Sequence, residues 1–180
     1  MFAPWRKAFV EGQLQEQDVV PSPSGCVLCD YPLGCGHSPP DATTTAAWDR
    51  RRLIVTARER AFVILNKYPY GNGHVMVVPR LHEENVDQLS DADYAAVQGL
   101  LKETISAVRK SYAPDGINVG MNLGAAAGAG IAGHCHWHVL PRWRGDVNFL
   151  PVFADTKVIM EALDDSWRRL AGLLRQPGEG

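Results

Sequence analysis

Hydrophobic positions along the chain fall into short strand-like runs on either side of one long helical repeat. Leu53-Ile54-Val55 is a short strand candidate and Ala61-Phe62-Val63-Ile64-Leu65-Asn66 a stronger one. Lys67-Tyr68-Pro69-Tyr70-Gly71-Asn72-Gly73 carries turn chemistry, and His74-Val75-Met76-Val77-Val78 is the next strand, stopped by Pro79. Two strands with a Gly-containing connection read as an antiparallel pair. Ser90, with Asp93 three residues on, is a weak capping box. Behind it Val97, Leu100, Leu101, Thr104, Ile105 and Val108 recur at helical spacing, and the helix is expected to end near Tyr112, before Pro114 and Gly116. Ile117-Asn122 is a further strand. Residues 124–133 hold four glycines and five alanines, a small and flexible loop, and a strand from His134 to Pro141 follows directly. From Thr156 onward, Val158, Ile159, Ala162, Leu163, Trp167, Leu170 and Leu173 predict a C-terminal amphipathic helix. An antiparallel sheet with one main helix and a C-terminal helix is an α+β arrangement.

Ahead of this core, residues 1–25 read as a surface arm with Trp5 as an anchor, and residues 30–47 as an irregular loop rich in Pro and Gly. The expected division is 1–48 as an N-terminal arm and 49–180 as the main domain including the C-terminal helix. The 180 residues suffice for one domain with a real core, and 46% apolar content is that of a soluble globular protein. A net charge of −2 supplies no broad basic field, so nucleic acid is not expected as the main partner. No run reaches transmembrane length and Met1–Leu14 does not read as a signal peptide, so no membrane association and a cytoplasmic location are expected. Four cysteines in a reducing compartment read as metal ligands or packed thiols rather than disulfides.

The densest chemistry is His134-Cys135-His136-Trp137-His138-Val139-Leu140-Pro141, which holds half of the six histidines. Successive strand side chains point to opposite faces, so His134, His136 and His138 share one face and Cys135, Trp137 and Val139 the other. The expectation is a buried apolar face and an imidazole face lining a cleft. Three imidazoles on one face admit a metal nest or covalent catalysis by histidine. Cys26-Val27-Leu28-Cys29 is a CxxC, a common half of a structural zinc site. No second CxxC exists, so the remaining ligands are expected to be histidines. A redox CxxC is disfavoured because no thioredoxin-like βαβ pattern surrounds it.

The alternating triad behind a glycine-rich loop resembles the signature of the histidine triad (HIT) family. The likeness extends to Leu65-Asn66-Lys67-Tyr68-Pro69-Tyr70, to Gly73-His74-Val75-Met76-Val77-Val78-Pro79 and to Asn118-Val119-Gly120-Met121-Asn122-Leu123-Gly124. It covers about residues 50–165. Within the family the chain most resembles bacterial proteins related to diadenosine tetraphosphate phosphorylases, through that Asn118–Gly124 stretch, Pro141-Arg142-Trp143 and Gly145-Asp146-Val147-Asn148-Phe149. It departs at Cys135, where an aliphatic residue is more usual, and in the loop at 34–40.

The resemblance implies a homodimer that cleaves dinucleoside polyphosphates at the α-phosphate through a nucleotidyl-histidine on His136, with water or phosphate as acceptor. His138 becomes a contact to phosphate or the leaving oxygen, and a general acid. A carbonyl of the glycine-rich loop is the expected acceptor for the second N–H of His136. Gly128, Ala129, Gly130 and Ile131 are expected to cradle phosphate with backbone N–H groups. Asn122 is expected to reach the same phosphate and Asn66 a ribose, with turn hydrogen bonding as the plainer role of both asparagines. Cys26, Cys29, His82 and His134 make a closed, structural Zn2+ site similar to that of galactose-1-phosphate uridylyltransferases, with Cys35 and His37 as competing ligands. Two other functions use the same groups: hydrolysis of nucleoside phosphoramidates or adenylylated adducts, and nucleotide binding by a non-catalytic zinc protein. Trp137 and Cys135 are expected in the core, His74 as structural, and Trp143 with Arg142 near the nucleotide or the dimer partner.

Overall fold

A computed structural model of the chain describes residues 24–31, 50, 52–146 and 161–175. Five strands form one antiparallel sheet: β1 (Ile54–Ala57), β2 (Ala61–Leu65), β3 (Val75–Pro79), β4 (Gly116–Gly120) and β5 (Trp137–Arg142), in the order β1-β2-β3-β5-β4. The helices whose full extent lies among the described residues are α1 (Val27–Asp30), α2 (Asp91–Tyr112) and α3 (Leu163–Leu174). The fold is α+β, as the hydrophobic pattern predicts. Among the described residues, no helix is long and apolar enough to cross a membrane.

Every residue of β2 and β3 is buried, which a sheet allows only when both of its faces are covered. One face carries Val63, Leu65, Val75, Val77, Trp137 and Val139 against Val97, Leu100, Leu101 and Val108 of α2 and Leu170 and Leu174 of α3. The other carries Phe62, Ile64, Met76 and Val78, covered by Cys26, Leu28 and Cys29. Leu28 is 1% exposed, so burying it contributes about 2 kcal/mol toward holding this piece of the arm on the sheet. Residues 26–31 are therefore a structural part of the second face.

α2 begins where Ser90 accepts from the Asp93 backbone N–H, and ends on Ala113 in the left-handed region, whose N–H bonds Arg109 O. The two sheet edges differ. The β1 edge is closed by the C-terminal segment: Trp167 Nε1–H donates to Ile54 O at 2.6 Å and Arg175 Nε–H to Val55 O at 2.9 Å. The β4 edge is open, with Asn118, Val119 and Gly120 exposed.

Four local expectations differ from the structure. Leu53 lies outside β1 with φ 64°, and Pro79 is the last residue of β3 rather than its stop. The triad strand begins at Trp137, not His134, because the Cys135 N–H bonds Glu83 O instead of β3. The C-terminal helix is described from Leu163; Val158 and Ile159 lie outside the described residues, as do Trp5, Cys35, His37 and Val147–Phe149.

Candidate metal centre and histidine face

Residues 134–138 do hold alternate sides, but the imidazole side is not an open cleft. His134 is 0% exposed, with Cys26 and Cys29 against its ring, and His136 is 4% exposed; His138 is half-buried. Cys135, Trp137 and Val139 join the helix-covered core. Burial pushes the Cys135 thiol up to about 11, so it stays protonated and packs as a small apolar side chain.

Cys26, Cys29, His82 and His134 come together at the start of this stretch, their ligand atoms all within 4.8 Å of one another. Cys26 Sγ and Cys29 Sγ each lie 3.5 Å from His134 Nδ1, and Cys29 Sγ lies 3.1 Å from His82 Nδ1. Around a tetrahedral ion with the usual zinc bond lengths, sulfur and nitrogen ligands stand about 3.5 Å apart. The ring of His134 is also correctly turned: Nε2–H donates to Pro79 O at 2.9 Å, which leaves the Nδ1 lone pair facing the thiols. Burial depresses His134 to about 4, so the ring is neutral at neutral pH. The donor set fits a closed four-ligand zinc site, with His82 as its exposed member. These ligands are brought from three places: the CxxC from the arm, His82 from the segment after β3, and His134 from the approach to β5.

The ring of His136 is set by the backbone two residues before it. His136 Nδ1 lies 2.8 Å from His134 O, and a carbonyl only accepts, so Nδ1 carries the proton and Nε2 the lone pair of the neutral ring. The acceptor is thus the carbonyl of His134, one residue past the glycine-rich loop rather than within it. The loop is pulled inward by its own turns, and His134 is the residue pinned by side-chain contacts.

His138 is set by a residue that the sequence reading left as merely structural. The Tyr70 N–H donates to His74 Nδ1 at 3.1 Å. An imidazole carries at least one N–H, so His74 Nε2 is the protonated nitrogen, and it lies 3.0 Å from His138 Nδ1. His138 Nδ1 therefore accepts, and its Nε2 carries the proton. The rings of His136 and His138 stand 4.9 Å apart, so a lone-pair nitrogen and an N–H nitrogen belong to adjacent rings on one face. Strand parity alone puts His74 on the triad's side of β3, but its pairing with His138 depends on the β3–β5 register, Met76 opposite His138.

The expected phosphate cradle is partly self-satisfied. Gly124 and Gly128 adopt φ 77° and 88°, which glycine permits without strain. The N–H groups of Gly128 and Ala129 bond Ala125 O and Gly124 O, within the loop. Gly130 and Ile131 are the cradle residues outside that turn, and Ile131 packs on the face beneath Cys26 and Leu28. Asn122 Nδ2 donates to Gly128 O at 3.4 Å, and Asn66 Oδ1 accepts from the Tyr68 N–H at 2.9 Å. Both asparagines thus make the turn-type bonds that were their plainer reading. Arg142 is bound to Asp146 and Asn118, and Trp143 stands edge-on to Tyr112 with centroids 6.3 Å apart.

Comparison with known proteins places this geometry among relatives. A family model described as "HIT domain" matches residues 50–145. The "AP-4-A phosphorylase" of Mycobacterium tuberculosis is 39% identical over 123 residues, 68% of this chain; the match spans 63% of that protein's length. An uncharacterized HIT-like protein of Saccharolobus solfataricus is 33% identical over 132 residues, covering 73% of this chain and 84% of that one. The fold is shared with a Zn-bound histidine triad family protein from Mycobacterium smegmatis, at TM-score 0.58 and 23% identity, over 83% of this chain and 93% of that one.

Proposed function

The chain belongs to the HIT domain family, and on that premise we propose that it cleaves dinucleoside polyphosphates such as diadenosine tetraphosphate at the α-phosphate, using His136 as nucleophile. The observation that carries the reading is the opposed protonation of two adjacent rings: His136 Nδ1–H is held by His134 O and His138 Nδ1 by His74. The similarity to the Mycobacterium tuberculosis phosphorylase supports the substrate class.

In this reading His136 Nε2 attacks the α-phosphorus and forms an N–P bond. The P–O bond to the rest of the polyphosphate breaks, and the departing oxygen leaves as an anion that accepts a hydrogen bond from His138 Nε2–H. Phosphate or water then attacks the same phosphorus, the N–P bond breaks to return neutral His136, and any proton carried in by the attacking oxygen passes to solvent. Dividing one displacement into two in this way avoids a single difficult transfer. His134 O neutralises part of the charge that grows on the His136 ring during attack. His74 keeps the His138 proton on the nitrogen nearest the substrate. Gly130 and Ile131 offer backbone N–H groups to phosphate oxygens, and Asn122 and Asn66 line the nucleotide site.

Zinc is the ion that Cys26, Cys29, His82 and His134 suit, and as a closed site it supplies a cross-link rather than a reactive position. The cross-link ties the arm to the residue whose carbonyl orients His136. A reducing cytoplasm is the setting in which the two thiols remain ligands. The open β4 edge, flanked by exposed Val119 and Leu123, is where a second copy pairs to make a homodimer.

His136→Ala tests the reading. It is expected to abolish turnover of diadenosine tetraphosphate while preserving the fold and AMP binding, and wild-type protein quenched in acid-free conditions is expected to yield a phosphorus–nitrogen adduct on the peptide containing His136. Undiminished turnover by His136→Ala would remove His136 from the chemistry. Comparing diadenosine tetraphosphate with an adenosine phosphoramidate, with and without phosphate, separates the polyphosphate reading from the phosphoramidate one.

A further inference from the structure

The even-numbered side of β5 opens progressively away from the triad. His138, Leu140 and Arg142 are all half-buried, while Trp137, Val139 and Pro141 between them are buried against the helices. Across the ladder, Gly120 stands opposite His138, Asn118 opposite Leu140 and Gly116 opposite Arg142. Paired residues share a face, so the floor beside this row is glycine, asparagine and glycine. A Cβ at Gly116 or Gly120 would meet nothing within 4 Å. His138, Leu140 and Arg142 thus form one row on this face, with small residues beside it on β4.

Arg142 ends that row in an unusual state of engagement. Its Nε–H and Nη2–H donate to the two carboxylate oxygens of Asp146 at 2.5 and 2.8 Å, and Nη1–H donates to Asn118 Oδ1 at 2.9 Å. The fork is thus presented to a planar pair of anionic oxygens, the geometry by which guanidinium also binds phosphate. The pair is not sealed: the Arg142 side chain is 33% exposed and Asp146 25%. Asp146 also accepts from the Trp143 N–H at 3.3 Å, but both side chains keep part of their surface in water, so an anion from solvent can reach the fork in competition with the carboxylate. Arg142 is four residues beyond His138, which on an extended strand is about 13 Å. That separation is between Cα atoms, and the long Arg142 side chain and the phosphates beyond the α-phosphate would have to bridge it together.

We propose that Arg142, with Asn118, binds the distal phosphates of a dinucleoside polyphosphate whose α-phosphate lies at His136, and that Asp146 holds the site as an internal substitute anion until the substrate arrives. The proposal rests on the polyphosphate reading of the site, and names the residue that makes the enzyme prefer a long phosphate chain. Arg142 acts on binding of the leaving half and takes no part in the transfer itself. Asp146 opposes it, because the carboxylate competes with the phosphates for the same fork.

Binding, rather than turnover, tests this. Dissociation constants of AMP and of adenosine 5′-tetraphosphate are measured by calorimetry for wild type, Arg142→Ala, Arg142→Lys and Asp146→Asn. The advantage of tetraphosphate over AMP is expected to fall by about tenfold or more in Arg142→Ala, the equivalent of one charge-assisted fork. It should fall by less in Arg142→Lys, which keeps the charge without the fork, and rise in Asp146→Asn, which keeps the shape without the charge. An advantage that is absent in wild type, unchanged in Arg142→Ala, or reduced in Asp146→Asn overturns the proposal. Because no cleavage is involved, a protein that shows the expected ratios yet turns over nothing refutes the catalytic reading and leaves this site standing.

Discussion

Replacing His74 with Phe isolates the part of the site that orients His138. His74 is 1% exposed and joins two polar partners, the Tyr70 N–H at 3.1 Å and His138 Nδ1 at 3.0 Å. Phenylalanine fills much of the same volume, stacks on Tyr70 as His74 does, and makes neither bond. Losing the two bonds and leaving the Tyr70 N–H without its acceptor costs about 2–4 kcal/mol of stability. The catalytic cost is separate. A positioned N–H donor to charge developing on the leaving oxygen supplies roughly two to three powers of ten, and unfastening it forfeits part of that, about tenfold to a hundredfold in kcat with KM little changed. The assay compares a phenyl ester of AMP, whose leaving phenolate is strongly basic (conjugate acid pKa about 10), with diadenosine tetraphosphate, whose leaving phosphate oxygen is weakly basic (about 6). His74→Phe should slow the first much more than the second, and His74→Gln, which retains a donor toward His138, should recover part of the loss. An equal loss on both substrates would mean that His74 only supports the fold, and the tautomer argument would fail.

Further outcomes follow from other contacts. Gly73→Ala places a Cβ 2.6 Å from the Tyr112 ring at φ +67°, and Tyr112 is tethered by its hydroxyl to Glu161; a loss of about 2–4 kcal/mol is expected in urea melts, and an unchanged midpoint would contradict the packing. Protein purified without chelator should contain one zinc per chain by elemental analysis, and stripping it, or substituting Cys26→Ser, should lower Tm by about 5 °C or more, as removal of a structural cross-link does; a metal-free sample of undiminished Tm would count against the site. In metal-free protein, His134 has a folded-state value of about 4 against 6.5 unfolded. The unfolded chain then binds more protons between those values, so stability is full above about pH 6.5 and declines as pH falls toward 4, with a total on the order of 3 kcal/mol. Urea midpoints that stay flat from pH 7 to 5 would show that His134 is not held neutral by burial.

The sequence on its own determined the elements and the parities. Strand alternation separated His134, His136 and His138 from Cys135, Trp137 and Val139, and helical spacing marked α2 with its Ser90 cap, because both periods are properties of local backbone geometry. The CxxC announced a metal half-site for the same reason: its ligands are neighbours in the chain. Tertiary structure alone decided what lies across gaps of fifty to a hundred residues. It brought His82 and His134 to Cys29, laid residues 24–31 over a face that alternation had suggested was open, and matched His74 to His138 through the β3–β5 register. Register and long-range closure are fixed by how two faces bury their apolar side chains together, a condition on the whole sheet that no single segment carries.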